Sequence, residues 1–502
     1  MNILGISAGF HDAAAAVINR QGDVLFASQS ERYSLDKNDA NIGHGLQSEL
    51  KKYDFDTVAY YERPWAKQLR RLYTGEGVQW NQLTVRGIIK QQLGNGLAHK
   101  VKHVHSYNHH LSHAAAGFQT SPFDRATVVV IDAIGEWDTI TIWGAEYNHA
   151  GVARYKKLWG QRYPHSIGLF YSAMTKQAGL TPNEEEYILM GMAAYGDRKR
   201  LYKDIIEDFV TFPHSESYNP IMFKKNLHRG CNWWRPDLQS DQDRFDIAAA
   251  TQYTYEQSFT RILQMAKSLT GSDNLVIGGG CALNCSANPI AFDYFDNVYI
   301  PPAPGDNGSS IGAVLAHQKN HLDNFTPYLG SNISSKASNE VIVDYLIKEK
   351  ICGLARGRAE VGPRALGNRS LLADPRDPKI KSLVNNVKQR EQFRPFAPAI
   401  LEEFANEYFY MPSKKTPYMQ FTVLCRRPDL FPAIVHKDGT SRVQTVGKND
   451  NPEFRKLLEI WQSKTGCPML LNTSLNVKGS PMVNDISDAF NWSKTYGLPV
   501  FN

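Results

Sequence analysis

Four times in 502 residues an apolar strand runs directly into a glycine-bearing turn. The chain opens with "NILGISAG", followed by "AAAAVINRQGDVLFASQSE", two apolar runs about a turn at 20–23 that contains Gly22. Apolar, β-branched runs interrupted by Gly, Asn and Asp predict strands joined by hairpin turns. The same order of events recurs at 126–159. There "ATVVVIDAIGEWDT" leads into "ITIWGAEYNHAGVARYKKLW", two strands about a turn with Gly151. The other two turns lie in "NLVIGGGCALNCSAN" and "NVYIPPAPGDNGSSIGAVLAH", where each reads as strand, turn and helix start. A long amphipathic helix is predicted over 245–270. One glycine turn is unspecific. Four strand ends of this kind, with the strand-turn-strand unit present twice, predict an internally duplicated α/β fold. Turns of this type offer backbone N–H groups to phosphate.

Between the two units lies "SYNHHLSHAAAGF". His109 and His113 are one helical turn apart and project from one helix face. The next predicted strand ends in Asp132, so a carboxylate can join them in a divalent-metal site. Spacing alone leaves open two histidines that merely fill a helix interface.

The polar stretch "DNFTPYLGSNISSKASNE", residues 323–340, predicts a boundary between domains at 1–330 and 341–502. Beyond it the chain is rich in Arg, Gly and Pro. "GRAEVGPRALGNRSLLADPR" and "KQREQFRPFAPAI", with the residue before the first, hold Arg356, Arg358, Arg364, Arg369, Arg376, Lys388, Arg390 and Arg394. Arginines fixed between Gly and Pro turns suggest a preorganised cradle for phosphate or carboxylate. The strand end "LLNTSLNVKGSPMV" adds Ser474 and Asn476, which can bind phosphate or carbamoyl oxygens.

Net charge is +6, and it is unevenly placed. Residues 63–105 hold eight Lys and Arg against one acid, Glu76. "FKKNLHRGCNWWR" adds Lys224, Lys225, Arg229 and Arg235, and Trp65, Tyr73, Trp80, Trp233 and Trp234 lie among these cations. Basic residues with aromatics can grip a phosphodiester backbone and stack bases. On local charge alone, a solvated helix face beside core tryptophans is the favoured reading. No apolar run of about 18 residues spans a membrane. The N-terminus lacks a basic region and cleavage site, and the six cysteines are scattered. A reducing, cytoplasmic setting is expected.

Over nearly its whole length the chain resembles O-carbamoyltransferases of the NodU/CmcH family. The matching segments are "GISAGFHDAAAA", "ERYSLDK", "NHHLSHAAAGF", "IDAIGEWDT", "EEEYILMGMAAYG", "GGGCALNCSAN", "PAPGDNGSSIGA", "GRAEVGPRALGNRSLLADPR", "REQFRPFAPAIL" and "LLNTSLNVKGSPMV". The resemblance implies two modules. The N-terminal one would be a duplicated actin/Hsp70-like (ribonuclease H-like) domain similar to tRNA threonylcarbamoyl transferase. The C-terminal one would be a YrdC-like α/β domain, whose Lys-x-Arg and Ser-x-Asn pattern appears as Lys388-x-Arg390 and Ser474-x-Asn476.

The implied chemistry has two steps. Carbamoyl phosphate and ATP, with Mg, would give carbamoyl-adenylate and pyrophosphate in the C-terminal module. The carbamoyl group would then pass to a substrate hydroxyl in the N-terminal module. By this resemblance Arg364, Lys388, Arg390, Arg394, Ser474 and Asn476 bind the reactants of the first step, and Gly135 and Asn284 contact the nucleotide. His109, His113, Asp132 and Asp306 would hold a divalent metal, iron(II) by family precedent, with manganese or zinc also suited to two His and two Asp. His11 would be the general base and Lys37 would stabilise the carbamoyl oxygen. Two departures stand out: Ile188 occupies a position where the family often has Lys, and Arg356 one where it often has Gln.

The expected acceptor is a 5-hydroxymethylpyrimidine in DNA, because the basic block 63–105 lies where acceptor-specific insertions are expected. Arg70, Arg71, Lys224 and Lys225 would then contact phosphates. The alternative is a small hydroxylated metabolite, antibiotic or sugar. No membrane association is expected, and a homodimer is left open.

Overall fold

The computed structural model describes residues 2–211 and 221–502. The chain divides into two units, Met1–Ser30 with Asn38–Phe325 and Glu31–Lys37 with Thr326–Asn502.

The first unit carries the duplication in its strand order. β1 (Asn2–Ser7), β2 (Ala14–Ile18), β3 (Val24–Gln29), β4 (Phe55–Tyr60) and β5 (His103–Ser106) form a sheet in the order β3-β2-β1-β4-β5. β1, β2 and β3 are antiparallel neighbours, while β4 and β5 run parallel to β1. β6 (Arg125–Gly135), β7 (Asp138–Tyr147) and β8 (Ala153–Arg162) repeat the antiparallel meander. Asn274–Gly278 and Asn297–Tyr299 then add in parallel on the far side of β6. Both sheets thus share one strand order and one pattern of orientations, as the paired strand-turn-strand segments predict. β1 and β6, central in their sheets, are almost wholly buried. This is why they read as unbroken apolar runs and not as alternating ones.

Each half ends in a corresponding helix. His109–Phe118 follows β5, and Asp306–Gln318 follows Asn297–Tyr299. The two pack on each other, and Gly312 allows the approach: a Cβ there would lie 2.0 Å from the Ser112 carbonyl oxygen. The predicted amphipathic helix runs over Asp241–Thr270, four residues longer at its start than expected. Ser240 and Asp243 form a capping box there, and Gly271 closes the other end in the left-handed conformation.

The second unit is a six-stranded mixed sheet. Its order is Gln444–Val446, Ala397–Leu401, Met469–Ser474, Arg369–Ala373, Ile351–Ala355, Val500–Phe501. Helices Asn339–Glu349 and Pro452–Thr465 pack together. The fully buried Trp461 of the second helix donates its indole N–H to the Met469 carbonyl at 3.0 Å. The division at Phe325/Thr326 falls within the polar stretch 323–340 where the boundary was expected. Part of the polar stretch 323–340 is strand Tyr328–Ile333, which pairs with Gly357–Glu360. Its polarity reflects a two-stranded ribbon, not a linker. Residues 31–37 also belong to this unit, so Lys37 lies there and not in the unit that holds His11. No helix among the described residues is long and apolar enough to cross a membrane.

Candidate functional site

Asn108 caps the helix that starts at His109, its side-chain oxygen accepting from the Leu111 N–H at 3.1 Å. The turn after β6 supplies a second anchor. Glu136 sits there with φ +59°, an uncommon conformation for a non-glycine residue. Its carboxylate accepts from the N–H groups of Arg63 at 2.7 Å and His109 at 3.2 Å, and from the Asn108 amide at 2.9 Å. A carboxylate at a helix N-terminus is favoured by the helix dipole. Here it fixes where His109 begins. Sequence reasoning did not single out Glu136. Its position in "IGEWD", after a glycine at a strand end, was the available signal.

The helix turn that follows brings His113 beside His109, and their Nε2 atoms are 3.1 Å apart. Asp132, at the end of β6, places Oδ2 at 2.9 Å from His109 Nε2 and 3.5 Å from His113 Nε2. Asp306, first residue of the matching helix, places Oδ1 at 3.4 Å and 3.2 Å from the same two atoms. All four donor atoms lie within 4.8 Å of one another. Ligands about 2.1 Å from a shared ion stand about 3.0 Å apart in cis-octahedral and 3.4 Å in tetrahedral geometry. The observed edges of 2.9–3.5 Å therefore fit one divalent ion on a two-histidine, two-aspartate set. Gly135 serves this approach, because a Cβ there would sit 2.4 Å from His109 Cδ2 and 2.5 Å from His110 Cδ2. It packs against the imidazoles.

Electrostatics agree with a cation-seeking centre. Burial pushes the imidazoles towards neutrality, yet Asp306 and Asp132 raise the pKa values of both His109 and His113. Burial likewise opposes ionisation of the two aspartates, and the imidazoles hold them well below the usual carboxylate range.

His11 follows β1 in the first glycine turn. Its Nδ1 is 3.1 Å from Asp12 Oδ2 and its ring contacts Phe10 at 4.7 Å between centroids. Burial lowers its pKa, but the Asp12 hydrogen bond and the Asp306 and Asp132 charges outweigh this and lift it from 6.5 to about 9. His11 thus shares the field of the metal-site acids. Asn284 is buried, and its amide is paired with Gln252 and with the Ala287 N–H.

In the second unit the strand end of Met469–Ser474 meets the C-terminal end of helix Lys379–Val387. The buried Lys388 ammonium donates to Asn476 Oδ1 at 2.8 Å, to Ser474 Oγ at 3.2 Å and to both backbone carbonyls. Ser474 Oγ donates to Asn476 Oδ1 at 2.6 Å. The Lys-x-Arg and Ser-x-Asn segments, 86 residues apart, therefore form one cluster. Arg390 donates to Asn385 Oδ1 at 2.7 Å and lies over the Phe396 ring, and Arg394 reaches Glu391 at 3.4 Å. Burial and the charges of Arg390 and Arg394 hold the Lys388 pKa well below its ordinary value. Such excess positive charge suits an anionic ligand. Arg364 is half-buried near the strand end at Glu360.

Other arginines of this unit are not a phosphate cradle, contrary to the sequence expectation. Arg369 is fully buried and donates to the carbonyl oxygens of Ser331, Arg356, Gly357, Asn368 and Asn484. Arg356 donates to Asn339 Oδ1, Arg358 to the Leu329 and Gly330 carbonyls, and Arg376 pairs with Asp374. They tie loops to the sheet, where buried carbonyls otherwise lack donors.

The basic block 63–105 is also more inward than its composition suggests. Lys67 is buried on Glu62 at 2.9 Å. Arg70 is buried, its charge balanced by Glu76 and Glu62, and Arg71 pairs with Glu76 at 3.0 Å. Helix Pro64–Tyr73 buries Lys67 and Arg70, leaves Arg71 half-buried, and exposes Trp65, Leu69, Leu72 and Tyr73. Arg63, Arg86, Lys90 and Lys102 remain exposed, as do Lys224 and Lys225. Lys224 donates to the Glu207 carbonyl, and Lys225 sits 3.5 Å from the Trp233 ring centroid.

The profile described as "Carbamoyltransferase N-terminus" matches residues 2–315, and "Carbamoyltransferase C-terminus" matches residues 343–501. Nodulation protein NolNO of Sinorhizobium fredii is 30% identical over 97% of this chain and 77% of its own length. Nodulation protein U of Bradyrhizobium diazoefficiens is 30% identical over 98% of this chain and 95% of its own. Among solved structures, full-length HypF in its phosphate- and nucleotide-bound form superposes with a TM-score of 0.36 at 13% identity. That superposition covers 63% of this chain and 46% of HypF. The two profiles together take in both units, and the chain belongs to the carbamoyltransferase family.

Proposed function

We propose that this carbamoyltransferase uses ATP and carbamoyl phosphate to carbamoylate a hydroxyl group in two steps. Loss of phosphate from carbamoyl phosphate, with water, gives carbamate. A carbamate oxygen then attacks the α-phosphorus of ATP, forming carbamoyl-adenylate and releasing pyrophosphate. Arg390 and Arg394 beside Lys388 neutralise the charge that develops on the phosphates. In the first unit the acceptor hydroxyl attacks the carbamoyl carbon, and AMP leaves. His11 takes the hydroxyl proton. A divalent ion, iron(II) by preference, would grip the adenylate phosphate when bound to His109, His113, Asp132 and Asp306. With that ion neutralising the aspartates, the field that protonates His11 is relieved and the imidazole becomes free to act as base. The observation that carries this reading is the four-donor centre with His11 in its field.

For the acceptor, a hydroxymethylpyrimidine in DNA is supported by the exposed Arg86, Lys90 and Lys102 with Trp65, Tyr73 and Trp80. These pair phosphate contacts with surfaces on which a flipped base can stack. A small hydroxylated metabolite or sugar is the second reading. It is favoured by the burial of Lys67 and Arg70, which removes two cations from a backbone contact, and by the pairing of the half-buried Arg71 with Glu76. One experiment separates them: incubation with ATP and carbamoyl phosphate in the presence of hydroxymethylated duplex, the free hydroxymethyl nucleotide, or a panel of sugars. Mass spectrometry then follows the carbamoyl adduct. A DNA enzyme modifies the duplex, and its binding weakens by about one log unit per log of salt for each phosphate contact. Adducts confined to sugars or free nucleotides overturn the DNA reading. Carbamoyl phosphate-dependent exchange of pyrophosphate into ATP tests the first step, and its absence overturns the adenylate route.

A further inference from the structure

Metal-bound imidazoles nearly always donate their second ring N–H to an acceptor that fixes tautomer and orientation. His113 has one: Ser309 Oγ lies 3.1 Å from its Nδ1. His109 Nδ1 is buried and has no hydrogen-bond partner among the described residues. Glu62 Oε2 lies 3.8 Å from it. Glu62 lies just beyond β4, is 3% exposed, and shares its other oxygen with Lys67 at 2.9 Å. A carboxylate buried this deeply costs stability unless it is compensated, and one lysine supplies the compensation. The pair is set beside Nδ1 of His109, which is the metal-site histidine with a buried nitrogen left unpaired; the neighbouring His110 Nε2 is unpaired too, but His110 is not among the four donors. A movement of about 1 Å brings Glu62 Oε2 into ordinary hydrogen-bond range of Nδ1.

We propose that Glu62 is the positioning residue of the metal centre: its carboxylate accepts a hydrogen bond from His109 Nδ1–H, which leaves Nε2 free to ligate, while Lys67 holds the carboxylate in place. This inference rests on the metal reading of the four-donor site. The outer partners of the two histidines then differ, a carboxylate for His109 and a hydroxyl for His113. The carboxylate makes His109 the more basic and more tightly oriented donor. Lys67, Glu62 and His109 form a continuous chain from helix Pro64–Tyr73 to the metal. A substitution on that helix can therefore reach the centre without touching a ligand.

The test compares wild type, Glu62→Gln and Lys67→Met as full-length protein. Iron(II) or cobalt(II) affinity is measured by competition with a chelator, together with the cobalt absorption spectrum and the metal-induced rise in melting temperature. Glu62→Gln keeps the shape and loses the charge. It is expected to weaken metal affinity about ten- to a hundredfold and to shift the cobalt spectrum. Lys67→Met leaves Glu62 with only His109 and the bound ion to compensate it. Its metal-free form should melt lower than wild type and its metal-induced rise should be larger, the opposite of Glu62→Gln. A purely structural Glu62–Lys67 pair predicts the same loss for both variants and an unchanged cobalt spectrum, which overturns the inference. Unaltered affinity in Glu62→Gln overturns it too. If wild type itself binds no ion, the four-donor reading fails first, and the wild-type measurement alone reveals this. Should Glu62→Gln fail to fold, the melting of Lys67→Met with and without cobalt decides between the two accounts.

Discussion

Gly312 is the point at which fold and chemistry meet, and its replacement by alanine makes the most exposed prediction. The new Cβ would stand 2.0 Å from the Ser112 carbonyl oxygen, 2.8 Å from its carbon and 3.0 Å from Ala116 Cβ. A carbon cannot approach a carbonyl oxygen closer than about 3.3 Å at equilibrium. The helices His109–Phe118 and Asp306–Gln318 must then separate by roughly 1 Å, and the obstacle is backbone, which cannot rotate away. Overpacking of this kind costs about 1–3 kcal/mol, and the upper end applies. In a unit of this size that is a fall of roughly 3–5 °C in melting temperature. The same separation stretches the 3.2 Å edge between His113 Nε2 and Asp306 Oδ1. A metal set loosened by about 1 Å should bind its ion at least about tenfold less tightly. Calorimetry with and without added metal reads both effects. Gly191→Ala is the control, because nothing lies within 4 Å of its Cβ and its helix position carries no positive φ. It should be neutral or gain up to about 1 kcal/mol. If Gly312→Ala melts with wild type and keeps wild-type metal affinity, the close helix crossing is wrong and so is the reasoning from it.

Further outcomes follow from the separation of the two clusters. His113→Ala should lose bound metal and carbamoyl transfer while keeping carbamoyl phosphate-dependent ATP–pyrophosphate exchange; elemental analysis and the exchange assay read the two independently, and retained metal stoichiometry would falsify the ligand role. Arg390→Ala and Ser474→Ala should abolish that exchange without altering metal content, and exchange at the wild-type rate in both moves the activation site elsewhere. In metal-free protein the His11 imidazole should titrate near 9 instead of 6.5, because Asp12, Asp306 and Asp132 outweigh its burial. A raised folded-state pKa gives stability that is complete below 6.5 and lost as pH rises through about 9; added metal should lower that midpoint, and an NMR titration centred near 6.5 in the metal-free protein contradicts the shared field. His11→Asn should leave adenylate formation and metal content intact and slow transfer about 10²- to 10⁴-fold, and near-normal transfer assigns the proton to another group.

The duplication of the first unit was legible in the chain because glycine turns and buried apolar runs are local signals. "NILGISAG" and "ATVVVIDAIG" announce strands that end at a turn, and a duplicated fold places such ends together. The i, i+4 spacing of His109 and His113 likewise fixed their common helix face before any packing was known. What local sequence does not carry is the partner of a charge. Arg369 reads as a free cation among glycines, yet it is buried under five carbonyl oxygens supplied by residues from 331 to 484. Arg70 and Lys67 read as part of a basic surface, yet helix Pro64–Tyr73 turns them inward and exposes its aromatic face. Glu62 was invisible for the same reason, since one glutamate after a strand means nothing until the strand order brings it to His109. Composition determines how many charges a chain has, and periodicity determines which face of an element they share. Which face is buried, and against what, depends on contacts between residues tens to hundreds apart, and only the tertiary structure sets those.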